Sequence, residues 1–348
     1  MNLLAADIGG TKTLLGVFRY EGQIKQLYKA KYSSEDWDNF DLMLKDFIAN
    51  LPSNITTPKY ACIGVAGAIN NKIVKLTNLN WQISQESLCK TLNTDEVILL
   101  NDFSCLVYAI PYLQQKQYKY IQSLKTNLDY QKEGSIFAIL GAGTGLGMAR
   151  GIITKSGLKA IPSEGGHREF SPRNNKEWEL CQWLKKDLKL TRLSIERVVS
   201  GTGLANIARW RLSQEDTKSH PILSIIEANN SHNFNNKLLP ERVSIAAKGG
   251  DPIMREVLEM WLSAYGSAAG DLALQELSTE GLWIGGGTAI KHLDGLSSEI
   301  FLNSLKNKGR FSEYLEKLPI MVLIDPEAGL FGAACKAHLM TKSNVKIN

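Results

Sequence analysis

The sequence lacks any long apolar run and any dense block of basic residues. No stretch approaches 18 consecutive apolar residues, so a membrane-spanning helix is not expected. Lysine and arginine total 40 against 35 acidic residues, which gives a net charge of only +5. The basic residues form no cluster interleaved with aromatic residues, which argues against nucleic-acid binding. The mild positive excess is compatible with phosphorylated substrates.

Cysteine is scarce and scattered. The chain has five cysteines, none in a CxxC spacing: Cys62, Cys89, Cys105, Cys181 and Cys335. This pattern predicts neither a disulfide framework nor a zinc knuckle. The first apolar strand begins within three residues of Met1, which leaves no room for a signal peptide. We therefore expect a cytoplasmic protein.

The length of 348 residues allows two domains. Apolar strand patterns alternate with helical patterns, such as residues 39–50 and 253–276, and predict α/β layers with mixed sheets. A polar, poorly periodic tract at 112–134 marks the predicted junction. We predict a small domain at 1–112, a large domain at 113–324, and a C-terminal helix within 325–348 that packs back onto the small domain.

Two glycine-rich turns, each entered by an apolar strand, are the most informative feature. The first contains Gly9, Gly10, Thr11 and Lys12, and the second contains Gly143, Thr144 and Gly145. Superposing Thr11 on Thr144 aligns the two apolar runs, which indicates a duplicated half. Glycine lets backbone N–H groups approach a phosphate closely, and threonine adds a hydroxyl donor. We expect the two turns to grip one polyphosphate from both sides.

Asp7 ends the first apolar strand, directly before the glycines. A carboxylate there could hold Mg²⁺, directly or through water, beside a nucleotide. The alternative is an aspartate that caps the turn, and Lys12 could equally be a solvated turn lysine. Neither turn is a P-loop, and the second one misses the GxGxxG spacing at Leu146, so a Rossmann dehydrogenase is disfavoured.

Two further glycine-containing turns could also bring backbone groups close to a ligand. Gly285, Gly286 and Gly287 lie between an apolar strand and a predicted helix that begins near Thr288. Backbone at such a turn can pack against a flat nucleoside, although a plain turn is the alternative. Gly201 opens another predicted helix, whose N-terminal amides could face ligand oxygens.

Asn101 and Asp102 lie where an apolar strand ends and a helix is predicted to begin. A carboxylate at that edge could accept a proton from an alcohol that attacks a phosphoryl group, while the amide fixes a neighbouring hydroxyl. Helix capping is the competing interpretation, because both residue types are preferred N-caps.

The segment 162–169 contains two acids and a histidine around two glycines. Glu164 and His167 could accept from and donate to the vicinal hydroxyls of a polyol. A metal site is the competing interpretation, but the spacing is not HExxH and no cysteine is near. Glu196, further along the chain, is either a ligand-binding acid or a surface partner of Arg197.

Taken in order, these segments resemble the bacterial glucokinases of the hexokinase-like, non-ROK family, within the actin, Hsp70 and sugar-kinase superfold. The matching segments are DIGGTKT from Asp7, LTNLNW from Leu76, NDFSCLVYAIP from Asn101, GAGTGLGMA from Gly141, PSEGGHREFSP from Pro162, ERVVSGTGLANI from Glu196 and IGGG from Ile284. They span almost the whole chain. The PSEGGH and ERVVSG segments are specific to this family, whereas DIGGT is shared by the whole superfold.

The resemblance implies a two-domain, actin-like (ribonuclease H-like) α/β fold with the nucleotide and sugar in a cleft between the domains. It implies that Asp102 is the general base and that glucose is bound by Asn101, Asp102, Glu164, His167 and Glu196. It places ATP phosphates at Gly9 to Thr11 and Gly143 to Gly145, and the nucleoside near Gly201 and Gly286. Related ROK kinases carry a cysteine-rich zinc motif that this chain lacks, so the resemblance implies ATP and Mg²⁺ but no structural zinc.

The expected activity is phosphorylation of glucose at its 6-hydroxyl by ATP. A kinase for another hexose or an amino sugar would share the scaffold, and a non-catalytic, sugar-sensing actin-like protein would share only the nucleotide turns. Asp102, together with Glu164 and His167, argues against the second alternative. The expected partners are glucose and ATP, without nucleic acid or membrane. A homodimer and the choice between ATP and polyphosphate stay open.

Overall fold

The computed structural model describes residues 1–76, 79–122, 128–224 and 235–343; Thr77 and Asn78 of the LTNLNW segment lie outside this part. The strands are β1 (Asn2–Ile8), β2 (Lys12–Tyr20), β3 (Ile24–Ser33), β4 (Tyr60–Val65), β5 (Ile69–Asn70), β6 (Ile73–Lys75), β7 (Gln82–Ser84), β8 (Val97–Asn101), β9 (Tyr118–Gln122), β10 (Ile136–Ala142), β11 (Leu146–Thr154), β12 (Gly157–Ser163), β13 (Leu282–Ile284) and β14 (Ile320–Leu323). The helices are α1 (Phe40–Ala49), α2 (Gln85–Leu92), α3 (Asp102–Ala109), α4 (Asn175–Asp187), α5 (Gly201–Leu212), α6 (Asn235–Lys248), α7 (Pro252–Glu276), α8 (Gly287–Lys291), α9 (Leu293–Leu296), α10 (Glu299–Lys306), α11 (Ser312–Lys317) and α12 (Ala328–Ser343). Three short 3-10 turns also concern the site: Ser34–Asp36, Gly165–His167 and Ile195–Arg197.

The first sheet has the strand order β3-β2-β1-β4-β8. Its central strand β1 is antiparallel to β2 and parallel to β4. Alternate residues of β1 enter two different apolar clusters: Leu4 packs with Phe47 of α1, while Leu3 packs with Leu330 of α12. Burial on both faces explains why β1 is a continuous apolar run rather than an alternating one.

The C-terminal helix packs against this sheet. Leu330, Ala333 and Ala337 of α12 enter the same apolar cluster as Leu3 and Cys62. The helix predicted within 325–348 is observed at Ala328–Ser343, and residues 344–348 lie outside the described part of the chain. The last helix thus covers one face of a sheet formed from the start of the chain.

The second sheet repeats the order of the first. Its order is β12-β11-β10-β13-β14-β9, in which β10 is parallel to β13 and β13 to β14. A strand hairpin followed by two parallel strands thus occurs twice, as the predicted duplication requires. The observed strand ends shift the predicted alignment by one residue. Gly9 and Gly143 each directly follow the first strand of their hairpin, so Thr11 aligns with Gly145 and not with Thr144.

The chain divides into two compact units. The first contains Met1–Gln117, Ala149–Pro162 and Asp325–Asn348, and the second contains Tyr118–Met148 and Ser163–Ile324. The predicted division at 112/113 differs from this by five residues at the boundary and by the segment Ala149–Pro162. That segment belongs to the first unit. There the backbone N–H of Ala160 donates to the hydroxyl of Tyr108 in α3 at 3.3 Å.

The polar tract at 112–134 is not only a junction. It contains β9, which pairs antiparallel with β14. Its strand has alternating polar and aromatic residues, and Tyr118 packs edge-on against Trp283 of β13 at 5.1 Å between ring centroids. The charge and glutamine content of the tract concealed this strand, whose burial comes from a partner far along the chain. Residues 123–127 lie outside the described part.

Helix α7 is the long helix of the second unit. Asp251 caps its N-terminus by accepting from Met254, and Leu277 ends it in the left-handed conformation. Gly270 lies so close to α10 that a Cβ there would be 2.2 Å from the carbonyl oxygen of Leu305. Among the described residues, no helix is both long and apolar enough to cross a bilayer.

Candidate active site

The first unit brings three predicted site elements to one edge of its sheet. β1, β4 and β8 are parallel, with Asp7 opposite Gly64 and Gly64 opposite Leu100. Asp7 and the Asn101–Asp102 pair therefore follow the same carboxyl edge, two strands or about 10 Å apart. The Gly9–Thr11 turn begins at this edge as well, since it directly follows β1.

Asp7 is enclosed by the backbone of α12. A Cβ on Gly329 would lie 2.8 Å from one Asp7 carboxylate oxygen. Burial raises the pKa of Asp7 above its ordinary value, and the positive charge of Lys12 opposes this in part. Its enclosure distinguishes Asp7 from a solvent-exposed turn aspartate.

Asn101 and Asp102 are both half-buried at the start of α3. Asn101 is the N-cap, because its side-chain oxygen accepts from Phe103 at 3.0 Å and from Ser104 at 3.3 Å. The Asp102 carboxylate accepts from the same Phe103 N–H at 2.9 Å. Capping and ligand binding are therefore not exclusive here. The Asp102 carboxylate thus lies at the N-terminus of α3.

The second unit brings the other glycine elements together. The N–H of Gly201 donates to the carbonyl oxygen of Gly143 at 2.8 Å, and the Thr202 hydroxyl donates to that of Thr144 at 3.1 Å. Gly286, at a φ of +85°, lies so close that a Cβ would be 3.0 Å from the carbonyl oxygen of Ala142. The second turn, the N-terminus of α5 and the β13–α8 turn thus form one backbone-lined surface.

Glu164, His167 and Glu196 form a cluster in the same unit. His167 lies 3.8 Å from Glu164 through Nε2 and 3.4 Å from Glu196 through Nδ1. The side chains of Glu164 and His167 are 65% and 57% exposed, whereas that of Glu196 is 19% exposed. Glu196 therefore faces His167 from a more enclosed position, which differs from the alternative of a surface acid.

The backbone around this cluster explains its glycines. Gly166 is packed against β11, where a Cβ would be 2.1 Å from the carbonyl oxygen of Leu146. The 3-10 turn Gly165–His167 and the turn Ile195–Arg197 are joined by the N–H of Ile195, which donates to the carbonyl oxygen of Arg168 at 2.8 Å. This bond holds the His167 and Glu196 segments side by side.

The polyol-type cluster adjoins the second glycine turn. A Cβ on Gly145 would lie 2.7 Å from a carboxylate oxygen of Glu196. Ser200, the N-cap of α5, donates its hydroxyl to the carbonyl oxygen of Glu196 at 2.6 Å and accepts from Gly203. The predicted phosphate turn and the predicted sugar-binding acid are therefore in direct contact.

Sequence reasoning missed two residues that hold these backbone groups. The Thr288 hydroxyl donates to the carbonyl oxygen of Ala142 at 2.5 Å. The Thr202 hydroxyl donates to the carbonyl oxygen of Thr144 in the second turn. Each threonine is the second residue of a helix that begins at a glycine cluster. A hydroxyl side chain at that position is the sequence signal that could have predicted these contacts. The sequence did not indicate Gly329, because its proximity to Asp7 depends on the fold.

Two polar cavities of about 180 and 690 Å³ lie elsewhere in the second unit. They are lined by segment 168–174 and by residues of α7, with Asn303 and Lys308 at the larger one. None of the predicted site residues lines either cavity. The described residues also contain no group of three or more His, Cys, Asp and Glu side chains suited to a metal.

Solved structures of sugar kinases share this fold. A glucokinase from an Antarctic psychrotroph matches with a TM-score of 0.78 at 27% identity, over 97% of this chain and 98% of that one. The glucokinase of Balamuthia mandrillaris in complex with glucose matches with a TM-score of 0.75 at 20% identity, over 98% and 93%. In its mixed α/β fold, the chain is similar to sugar kinases.

The sequence places it more narrowly. The glucokinase family model matches residues 4–340. The glucokinase of Trichormus variabilis is 36% identical over 349 residues, which cover 97% of this chain and 99% of the relative. The chain belongs to the glucokinase family, and its activity is the ATP-dependent phosphorylation of glucose.

Proposed function

We propose that this enzyme transfers the γ-phosphoryl group of ATP directly to the 6-hydroxyl of D-glucose, with Asp102 as the general base. The observation that carries the proposal is the contact between Glu196 and Gly145, which sets a hydroxyl-binding cluster against a phosphate-binding turn. We further assign the chain to the hexokinase-like, non-ROK branch, with a two-domain actin-like fold. The sequence supports this branch, because no cysteine follows His167 before Cys181.

Asp102 takes the proton of the attacking hydroxyl. Its carboxylate accepts a hydrogen bond from Phe103 and lies at the N-terminus of α3. A positioned carboxylate removes the proton as the oxygen attacks, so no free alkoxide forms. The Asn101 side-chain oxygen is used in capping, which leaves its amide N–H groups to donate to a neighbouring hydroxyl of the sugar.

Glu164, His167 and Glu196 bind the remaining hydroxyls. A carboxylate accepts from two vicinal hydroxyls, and a neutral imidazole donates at one nitrogen and accepts at the other. We propose that these three side chains and the Asn101–Asp102 pair act on the same sugar molecule. Exclusion of water as the rival nucleophile then depends on glucose being bound first.

The glycine turns bind the nucleotide. The Gly9–Thr11 and Gly143–Gly145 turns bind the phosphates through backbone N–H groups other than those of Gly9 and Gly143, which donate within the turns. The hydroxyl of exposed Thr11 adds a donor. Lys12 is exposed at the start of β2 and supplies positive charge. The backbone at Gly201 and Gly286 packs against the nucleoside.

Asp7 is the residue suited to Mg²⁺. Its carboxylate is a hard oxygen donor at the sheet edge that also carries the first turn, which fits the ligand preference of this ion. When bound with ATP, Mg²⁺ neutralises phosphate charge. The absence of a structural zinc stays a prediction, as do a cytoplasmic location and a homodimer.

The sugar assignment is tested with Glu164→Ala and a matched control, Glu179→Ala, which removes an exposed carboxylate from α4 in the same unit. Loss of a charged acceptor to a hydroxyl costs about 1.5–3 kcal/mol, so glucose affinity measured by calorimetry should fall about 10- to 100-fold in Glu164→Ala. Affinity for an ATP analogue without sugar should stay near wild type, and Glu179→Ala should bind both ligands normally.

Equal loss of both ligands in Glu164→Ala would show a folding defect and not a sugar contact. A coupled assay across several hexoses, amino sugars and phosphoryl donors completes the test. Glucose with ATP should give the highest kcat/KM, and a higher value for another sugar or for polyphosphate would contradict the proposed substrates.

A further inference from the structure

Two buried hydroxyl side chains lie behind the first glycine turn. Ser34 begins the 3-10 turn after β3, and Thr13 is the second residue of β2. Both are fully buried, and their hydroxyl oxygens are 3.0 Å apart. Polar side chains in the interior require hydrogen-bond partners, so the partners of this pair show what it holds in place.

Ser34 is bonded to both arms of the turn. Its backbone N–H donates to the carbonyl oxygen of Thr11 at 3.0 Å, and its hydroxyl donates to the carbonyl oxygen of Gly9 at 3.1 Å. A hydroxyl has only one proton, so Thr13 supplies the proton that joins the two hydroxyls. The donors therefore run in one direction, from Thr13 to Ser34 and from Ser34 to Gly9.

These bonds fix the direction in which the peptide groups of the turn point. In a trans peptide the carbonyl and the following N–H point to opposite sides. Since the carbonyl of Gly9 points at Ser34, the N–H of Gly10 points away from Ser34. The carbonyl of Thr11 also points at Ser34, so the N–H of Lys12 points away as well. If the Gly9 peptide rotated, a carbonyl oxygen would face the ligand and repel a phosphate.

We propose that Ser34 is a positioning residue for nucleotide binding, which holds the N–H groups of Gly10 and Lys12 toward the phosphates of ATP. The inference rests on the proposed role of this turn as a phosphate site. Ser34 acts through the turn, and its effect is therefore on ATP and not on glucose.

The test is Ser34→Ala, which removes the hydroxyl and keeps the backbone N–H. We expect KM for ATP to rise about three- to tenfold, the range of one neutral hydrogen bond, while KM for glucose stays within about twofold. The matched control is Thr13→Val, which also removes one buried hydroxyl but keeps both bonds from Ser34 to the turn. It should lower the melting temperature to a similar extent and leave KM for ATP within about twofold.

Two further variants make each outcome decisive. If Ser34→Ala does not fold, Ser34→Cys, whose thiol is a weaker donor of similar shape, should also raise KM for ATP. Thr11→Ala tests the turn itself. A raised KM for ATP in Thr11→Ala but not in the Ser34 variants would overturn the positioning role alone, and no change in either would overturn the phosphate site with it. Equal effects of Ser34→Ala and Thr13→Val would reduce Ser34 to a structural role.

Discussion

At the scale of single residues, the site contains groups that stability alone would not select. Asp7 is a carboxylate whose pKa is raised by burial, and a charged group in such a place costs free energy of folding. Gly145 leaves room for a carboxylate oxygen of Glu196 where any other residue would place a Cβ. Both features are explained if ligand binding fixes these residues.

Asp7→Asn should stabilise the folded enzyme at neutral pH while lowering its activity. A raised pKa in the folded state means that the stabilising contribution of Asp7 is complete below its ordinary pKa of 3.8 and is lost as the pH rises through the folded pKa. The gain in melting temperature should therefore be largest near pH 8 and should shrink as the pH is lowered. Thermal unfolding across pH measures this, and a variant less stable than wild type at pH 8 would contradict it.

Gly145→Ala should weaken glucose binding with little loss of stability. The new Cβ would displace the end of a flexible side chain, the Glu196 carboxylate, and not backbone. We expect a rise in KM for glucose of at least about fivefold, from the loss of part of a charge-assisted hydrogen bond. Gly249→Ala, where a Cβ meets its neighbours at an ordinary 3.4 Å, serves as the control. Equal glucose KM in both variants would remove Glu196 from the sugar site.

At the scale of elements, Asp102, the proposed base, lies at the start of a helix that crosses α12 closely. A Cβ on Gly332 of α12 would lie 1.9 Å from the carbonyl oxygen of Cys105 on α3, the helix that begins at Asp102. Cys62 of β4 and Cys105 of α3 lie in one apolar cluster with Ala333 of α12. The position of Asp102 thus depends on the last helix of the chain.

Gly332→Ala and Gly270→Ala form a matched pair. Each inserts a Cβ within 2.2 Å of backbone at a helix crossing, and overpacking of this kind costs about 1–3 kcal/mol or more. Both should lower the melting temperature, but only Gly332→Ala should also lower kcat per folded molecule, because only α3 carries Asp102. Chemical denaturation and kinetics on the folded fraction provide the comparison. Equal kcat values would show that the α12–α3 crossing does not position the base.

The sequence predicted the helices and strands better than it predicted which of them pack or pair together. The helix predicted at 39–50 is observed at Phe40–Ala49, a helix begins at Gly201 as predicted, and a strand ends at Asn101 as predicted. β9 was missed because its polar sequence is paired only through β14. The contacts of Gly145 with Glu196 and of Gly329 with Asp7 depend on tertiary packing, which no local pattern encodes.

At the scale of the whole molecule, the proposal requires that both units contribute to one ligand. Asn101 and Asp102 belong to the first unit, whereas Glu164, His167 and Glu196 belong to the second. The sequence already separated these residues into two predicted domains, and the resemblance assigned them all to glucose.

Glucose alone should slow hydrogen exchange in both units. We expect added protection in the peptides around 101–104 and around 164–167, because bonds to the sugar favour the ligand-bound conformation of each segment. An ATP analogue alone should protect the glycine turns and affect these peptides less. Protection confined to one unit at saturating glucose would contradict a shared sugar site.

The most direct measurement is the turnover of Asp102→Asn with saturating glucose and ATP. Asparagine keeps the volume of Asp102 and an oxygen that can accept from Phe103, so the start of α3 is preserved. We predict that kcat falls at least about 100-fold, the usual contribution of a positioned general base, while calorimetry shows glucose binding close to wild type. A correctly folded Asp102→Asn enzyme with near-normal kcat would show that another group accepts the proton.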